Sequence, residues 1–449
     1  MRLLKRFCVP ILGLVMALAM SSVVRADAVT DWNAIAIQII SNAPCPAAPC
    51  ANPPAHPGAT ATLDSAMVQA AVYDAVESIT GRFRPYAVHV PGASGSTAAA
   101  VAKATHDVLV SRFPFPALIA SLDMTYHNYL AAHGLLDSDP GVDVGAQAAA
   151  GIIALRANDG SFPPNPPPFT GGTAVGEWRP TPSFQPGPPA PFSPMLAPWL
   201  ATVTPFTLKS PSQFRPVPPP DLTSQRYATA YNEVKALGAR FNSARTTDQT
   251  NLALFFNTNF LAVYNRVARD VANARLSSID DSARLFALFN LAIADATITA
   301  WDSKRHFVFW RPVTAIQEGD NDGNPDTIGD PDWQPFINTP NYPEYTSGAN
   351  NVTGAWTRSL ALFFGTDEMD FTLHTTNATA PVQTVDYHRF SDVAHDVVNV
   401  RIWQGIHFRP ADVQGRKQGR HVAQWVFGHF LRSVNADAQD DHEDEGDDE

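Results

Sequence analysis

The sequence predicts an all-α fold, a bundle of roughly ten helices crossed by one extended proline-rich strap. Three observations carry this. Apolar residues recur at spacings of three and four along most of residues 59–432, the period that lines one face of a helix. No stretch competes with the apolar–polar alternation of a half-buried strand. Nineteen of the 39 prolines fall within residues 162–220, where a locked φ and a missing N–H forbid regular helix.

The elements follow in order. Arg2, Lys5 and Arg6 form a basic n-region, Phe7 to Met20 is an apolar stretch short for a membrane span, and Val24-Arg25-Ala26 offers small residues around a cleavage point before Asp27. Residues 1–26 therefore read as a signal peptide, and the mature chain as secreted or periplasmic; an uncleaved anchor is the alternative. Residues 27–58 read as an irregular segment, in which Cys45 and Cys50 are placed to form one small disulfide in an oxidising compartment. Helices are expected from Ala59 to near Gly81, over Ser96–Phe113, 116–134 and 141–158, then over Ser224–Phe241, Asp248–Ala274, Ser282–Lys304, Ser347–Phe364, Asp386–Arg401, and from Pro410 to Arg432. Residues 162–220 also hold Trp178, Trp199 and several phenylalanines. So many large aromatics suit a strap packed across a helical body better than a linker, so residues 59–436 read as a single domain.

Composition bounds the function. With 45% hydrophobic and 16% charged residues in 449, the chain has ample material for a core. The formal net charge of −12 is concentrated at one end, since Asp437–Glu449 carries nine acidic residues and no Lys or Arg, and reads as a disordered tail. Without that tail and the four cations of the first 26 residues the body stays near −7. No basic patch suits a nucleic-acid partner, and after signal cleavage no membrane span is expected.

Three segments of the last third carry candidate chemistry. Lys304 and Arg311 stand seven apart beside Trp301 and Trp310, two helical turns if the helix persists. They suit a buried anion, or an ion pair with Asp302 or Asp295. In Pro343-Glu344-Tyr345-Thr346-Ser347-Gly348-Ala349-Asn350, Ser347 begins a helix, offering a hydroxyl and free amides to an anion, or simply an N-cap. Arg401 and His407 are six apart, about 240° on an ideal helix, and converge only if the helix breaks between them, as Gly405 and Pro410 allow. A lone histidine is more often structural. Together these groups can grip a tetrahedral oxyanion.

The ordered set, Lys304 with six residues before Arg311-Pro312, then Pro343-x-x-x-Ser347-Gly348, then Arg401 with five residues before His407, resembles the three-part signature of the vanadium-dependent haloperoxidases and type 2 phosphatidic acid phosphatases. Looser similarity extends to Asp295-Ala296, Trp301-Asp302, Tyr73-Asp74-Ala75 and Trp178-Arg179-Pro180, as in bacterial secreted haloperoxidase-like members. The resemblance implies a helical bundle holding vanadate, or phosphate as its analogue. His407 would be the ligand of vanadium, or the nucleophile of a phosphatase. Lys304, Arg311 and Arg401 would neutralise the oxygens, with Ser347 and the Gly348 amide completing the cradle. The partners implied are small molecules: peroxide and halide, with a phosphoester as the alternative.

One departure matters. Where the family has an acid/base histidine after Ser-Gly, this chain has Ala349, which has no proton to give, and such catalysis typically contributes about 10² to 10⁴ in rate. Asn350 cannot titrate near neutral pH; His306, His374, His388 and His395 are the substitutes to look for, and an oxyanion binder without turnover is a further reading. Asp320, Asp322, Asn324 and Asp326 resemble the start of a calcium loop, but Pro325 and Pro331 stand where Gly and Glu belong. Asn351 and Asn377 head glycan-acceptor triplets, and a glycan at Asn351 would crowd the oxyanion site.

Overall fold

The computed structural model describes residues 27–42, 56, 58–182, 184 and 192–435. The expected signal peptide, Cys45, Cys50 and the acidic tail lie outside the described residues. Thirteen α-helices and one two-stranded hairpin form the described body.

The first helix, α1 (Ala28–Asn42), occupies the first part of the segment 27–58 expected to be irregular. Val29, Trp32, Ala36, Ile37 and Ile40 are all buried, a stripe at helical spacing, and the Asp27 carboxylate and Thr30 cap the start by exchanging hydrogen bonds with each other's backbone N–H. Next come α2 (Ala61–Thr80), α3 (Thr97–Arg112), α4 (Pro116–Ala132) and α5 (Pro140–Arg156). Their ends follow local chemistry: Ser96 accepts from the Ala99 N–H, Pro116 and Pro140 open helices whose first N–H needs no partner, and Gly81 closes α2 in the left-handed region.

After the strap come α6 (Gln225–Leu237), α7 (Thr247–Phe255), α8 (Phe260–Arg275), α9 (Ile279–Phe307) and the short α10 (Pro312–Gln317). One helix expected over 248–274 is two, because Asn259 caps a new start by accepting from Ala262 N–H. The central helix α9 is long and apolar enough to span a bilayer, but 94% of its most apolar window is buried inside the protein. It packs against α2 and against α11 (Gly348–Phe364) and α13 (Arg409–His429).

Between α11 and α12 (Phe390–Trp403) lies an unexpected antiparallel hairpin, β1 (Glu368–His374) with β2 (Thr384–Arg389). The helix expected from Asp386 therefore starts four residues later. Phe371, Leu373 and Tyr387 point inward while their neighbours are more exposed, and Phe371 stacks on Tyr387 across the pair at 5.8 Å.

The strap is fastened along α9. Asp295, fully buried, accepts from the amides of Phe206, Thr207 and Leu208 and from the Thr207 hydroxyl. Arg215 grips Asp302 with two hydrogen bonds of 2.8 and 2.7 Å, and Trp178 is buried with its backbone N–H donating to Val308 O at 2.7 Å. Both acids considered as partners for the site cations are thus committed to the strap.

The helices α11 and α13 approach closely because Gly419 lets them. A Cβ at Gly419 would lie 2.0 Å from Asn351 O, so backbone would have to move. Gly419→Ala is expected to destabilise by about 1–3 kcal/mol, as overpacking does, read as a lowered midpoint in thermal unfolding. An unchanged midpoint would show that the interface yields freely.

Candidate oxyanion site

Three chain breaks assemble the site. The end of α9 is forced by Val308, whose φ of +48° is left-handed, and Arg311 then stands just before α10. Lys304 and Arg311 therefore meet through a break and re-entry, and not along one continuous helix as their spacing suggested. Ser347 is the N-cap of α11. The third break follows Trp403, where Gly405 at φ +78° reverses the chain. A Cβ there would lie 2.3 Å from Gly238 O, so only glycine fits. This turn brings His407 back beside the Arg401 end of α12.

All six expected residues are buried and gathered here. Arg311 donates through Nε to Tyr342 O at 2.9 Å and through Nη1 to Ile406 O at 2.7 Å and to His407 Nε2 at 3.1 Å. Among the described residues its Nη2 has no partner. Arg401 donates through Nη1 to Gln404 Oε1 at 2.7 Å, and its Nε has no partner among the described residues. Unpaired buried cationic donors are costly, so these two mark where an anion belongs.

Lys304 differs from expectation. Its Nζ donates to the carbonyls of Pro343, Glu344 and Thr346 at 2.8, 3.1 and 2.5 Å, which uses all three ammonium donors. It shapes the loop before Ser347 and acts on the site through its charge. The Ser347 hydroxyl does not cap its own helix; it accepts from Asn350 Nδ2 at 3.2 Å. Gly348 supplies a first-turn amide, one of those that have no carbonyl four residues back.

Two acids complete the arrangement. Glu344, fully buried, accepts through Oε1 from Phe408 N–H at 3.0 Å and faces His407 Nδ1 at 3.0 Å. Burial, with the charges of Arg311, Lys304 and Arg401, holds the His407 imidazole well below its ordinary pKa, so it is neutral. With Nδ1–H donated to Glu344, the lone pair sits on Nε2 among the cations. Asp412 takes Asn350 Nδ2 on Oδ1 at 2.8 Å. Burial raises Glu344 to about 7 and Asp412 well above the carboxylate range. Burial also lowers Lys304, Arg401 and, to about 10, Arg311. Cations outweigh carboxylates here, an imbalance that an oxyanion would relieve.

Glu344 and Asp412 escaped the sequence reading. A single acid between aromatics, Tyr342-Pro343-Glu344-Tyr345, was the available signal for the first; Asp412 looked like an ordinary first-turn acid of α13.

A cavity of about 490 Å³ opens onto this cluster. Arg401, Gly348, Ala349, Trp301 and Tyr342 form its inner wall, with Phe256, Phe260, Ile337 and several amide side chains further out. The other four expected residues lie behind that wall. None of the four histidines considered as substitutes lines the cavity. His388 pairs with Asp370 at the surface, His306 and His395 are exposed, and His374 ends β1.

The calcium reading fails. Asp322 is occupied by the Thr327 hydroxyl and the Asn324 N–H, and Asp320 by Gly329 N–H. Among the described residues no group of three or more His, Cys, Asp or Glu side chains is placed to hold a metal. Asn351 is fully buried inside α11, so it is closed to a glycan.

A family model described as the VCPO second helical-bundle domain matches residues 284–436, the stretch that carries the site. The vanadium chloroperoxidase of Curvularia inaequalis is 31% identical over 203 residues, 38% of this chain and 32% of that protein. The matched stretch thus spans about a third of that relative's length. Among solved structures, the first bacterial vanadium-dependent iodoperoxidase superposes with a TM-score of 0.73 at 22% identity, over 90% of this chain and 96% of the other. The holo form of a bacterial vanadium-dependent chloroperoxidase gives 0.67 at 18% identity, over 83% and 92%. The described body thus has the fold of the vanadium-dependent haloperoxidases, and its residues 284–436, which carry the ordered motif, match the family model of their second helical-bundle domain.

Proposed function

We propose that this protein binds vanadate and oxidises halide with hydrogen peroxide. One observation carries the reading: two buried guanidiniums, Arg311 and Arg401, each keep a donor without a partner among the described residues, Nη2 and Nε, in the cluster that holds neutral His407, whose Nε2 meets Arg311 Nη1 alone. These residues fit a tetrahedral oxyanion. When bound, vanadate would supply activation of peroxide and transfer of an oxygen atom to halide with no change in its own oxidation state.

The chain's own part is positional and electrostatic. His407 Nε2 is the ligand, and Glu344 fixes its tautomer and ring plane. Arg311, Arg401 and the Gly348 amide hold oxygens, and Lys304 adds charge from behind. The cavity is walled by rings and amides, which limits bulk water beside those charges. The basic n-region and apolar stretch before Ala26 support action outside the cytoplasm, which the mass of the mature chain tests.

Calorimetric titration with orthovanadate, paired with halide oxidation and phosphate-release assays, tests the proposal. Saturable binding with peroxide- and halide-dependent turnover is expected. Phosphate release inhibited by vanadate would make it a phosphatase, and binding with neither activity would make it an oxyanion binder, the outcome that Ala349 favours if nothing replaces the lost histidine. Glu344→Gln keeps an acceptor for Nδ1 but removes its charge, so orthovanadate affinity is expected to fall about 10-fold, at the low end for partners behind a ligating histidine. An unchanged affinity would show that Glu344 serves folding alone.

A further inference from the structure

Ala349 stands where the resemblance of the motif implies a proton-donating histidine, and the cavity wall names a replacement. Among the residues lining the cavity, Arg401 and Tyr342 are the side chains that carry an ionisable group. A guanidinium does not give up its proton in a protein, which leaves the phenol. Glu344 and Asp412, the nearby acids, are fully buried and do not line the cavity.

Tyr342 is held firmly against the oxyanion cluster. Its ring centre lies 4.8 Å from Lys304 Nζ and 4.9 Å from the Arg311 guanidinium carbon. The ring packs at 4.9 Å against Trp301, and its carbonyl accepts from Arg311 Nε. It shares the inner wall with Gly348, Ala349 and Arg401, and its hydroxyl makes no hydrogen bond to another protein group among the described residues. A half-buried phenol on the cavity wall beside Gly348, Ala349 and Arg401, with the Lys304 and Arg311 charges against its ring, is placed to meet an oxygen of an anion held there.

Building on the oxyanion reading, we propose that the Tyr342 hydroxyl is the proton-donating group of this site, hydrogen-bonding an oxygen of the oxyanion held by Arg311, Arg401 and His407 and taking the role of the histidine that Ala349 replaces. In the transfer the phenol O–H bond breaks, the proton passes to that oxygen, and the phenolate recovers a proton from water in the cavity. No electrons leave the tyrosine.

The test is calorimetric binding of inorganic phosphate and of orthovanadate to the full protein and to Tyr342→Phe, which keeps the ring and its packing. The affinity is expected to fall about 10- to 100-fold, the effect of removing one hydrogen bond to a charged group, with an unchanged melting temperature. Adding Ala349→His to Tyr342→Phe is expected to recover halide oxidation, which a packing role would not produce. Equal affinity in Tyr342→Phe, or a loss that Ala349→His does not recover, overturns the assignment while leaving the oxyanion site standing. If the unmodified protein binds neither anion, the site reading falls and the inference falls with it.

Discussion

Replacing His407 by alanine is expected to abolish saturable orthovanadate binding and any peroxide-dependent turnover. The imidazole offers a neutral nitrogen lone pair beside the guanidiniums, and Glu344 and Arg311 hold it from both sides at 3.0 and 3.1 Å. Alanine removes that ligand and strips Glu344 of a partner, leaving a buried carboxylate without its imidazole. Loss of at least about 100-fold in affinity is expected, because a ligand bond and its supporting hydrogen bond disappear together. Calorimetry with the folded variant decides it. Undiminished binding would remove His407 from the site whichever reaction the protein performs.

The largest effect on stability is expected from Asp295→Ala. One carboxylate satisfies three consecutive strap amides and a hydroxyl at 2.5 to 3.2 Å, all deep in the protein. Burial opposes its charge, while the strap's hydrogen bonds favour it. Alanine leaves those donors facing apolar helix, and each buried unsatisfied group costs about 1–3 kcal/mol. A loss of roughly 3–5 kcal/mol follows, of the size seen when one member of a buried charged network is removed. The strap near Phe206 is then expected to become protease-sensitive below the unfolding temperature. A cut pattern identical to that of the unmodified protein would show that the strap is held by its prolines and aromatics instead.

What sequence reasoning reached is the set of groups, and what it missed is how they are joined. The motif spacing named Lys304, Arg311, Ser347, Gly348, Arg401 and His407, and the break required between Arg401 and His407 was readable because glycine and proline are unambiguous stops. The break between Lys304 and Arg311 was not, since Val308 in a left-handed conformation is imposed by tertiary packing and has no local signature. For the same reason Lys304 looked like an oxyanion ligand: its three carbonyl partners come from a loop about forty residues away. Glu344 was missed because a buried acid is recognisable only through what it faces. The hairpin was hidden by brevity. Phe371, Leu373 and Tyr387 alternate over too few residues to stand out beside strong helical periods. The strap could be read because aromatic residues among prolines are out of place in a free linker, and Trp178, fully buried, shows why.

The composition of the cavity wall bears on how anions arrive. The body of the chain is acidic, with a formal net charge near −7 once the first 26 residues and the tail are set aside, which at very low ionic strength would hold small anions away. At physiological ionic strength that influence fades beyond about 8 Å. The wall has no carboxylate, and its one charge is the Arg401 guanidinium at the inner end. A small anion entering the cavity would therefore lose hydration against amide dipoles and ring edges and meet attraction where Arg401 lines it. Capture rate is governed by that local potential, and added salt relieves distant repulsion more than it weakens the final attraction, so anion entry should quicken from dilute buffer to moderate salt, where a surface-steered enzyme would slow.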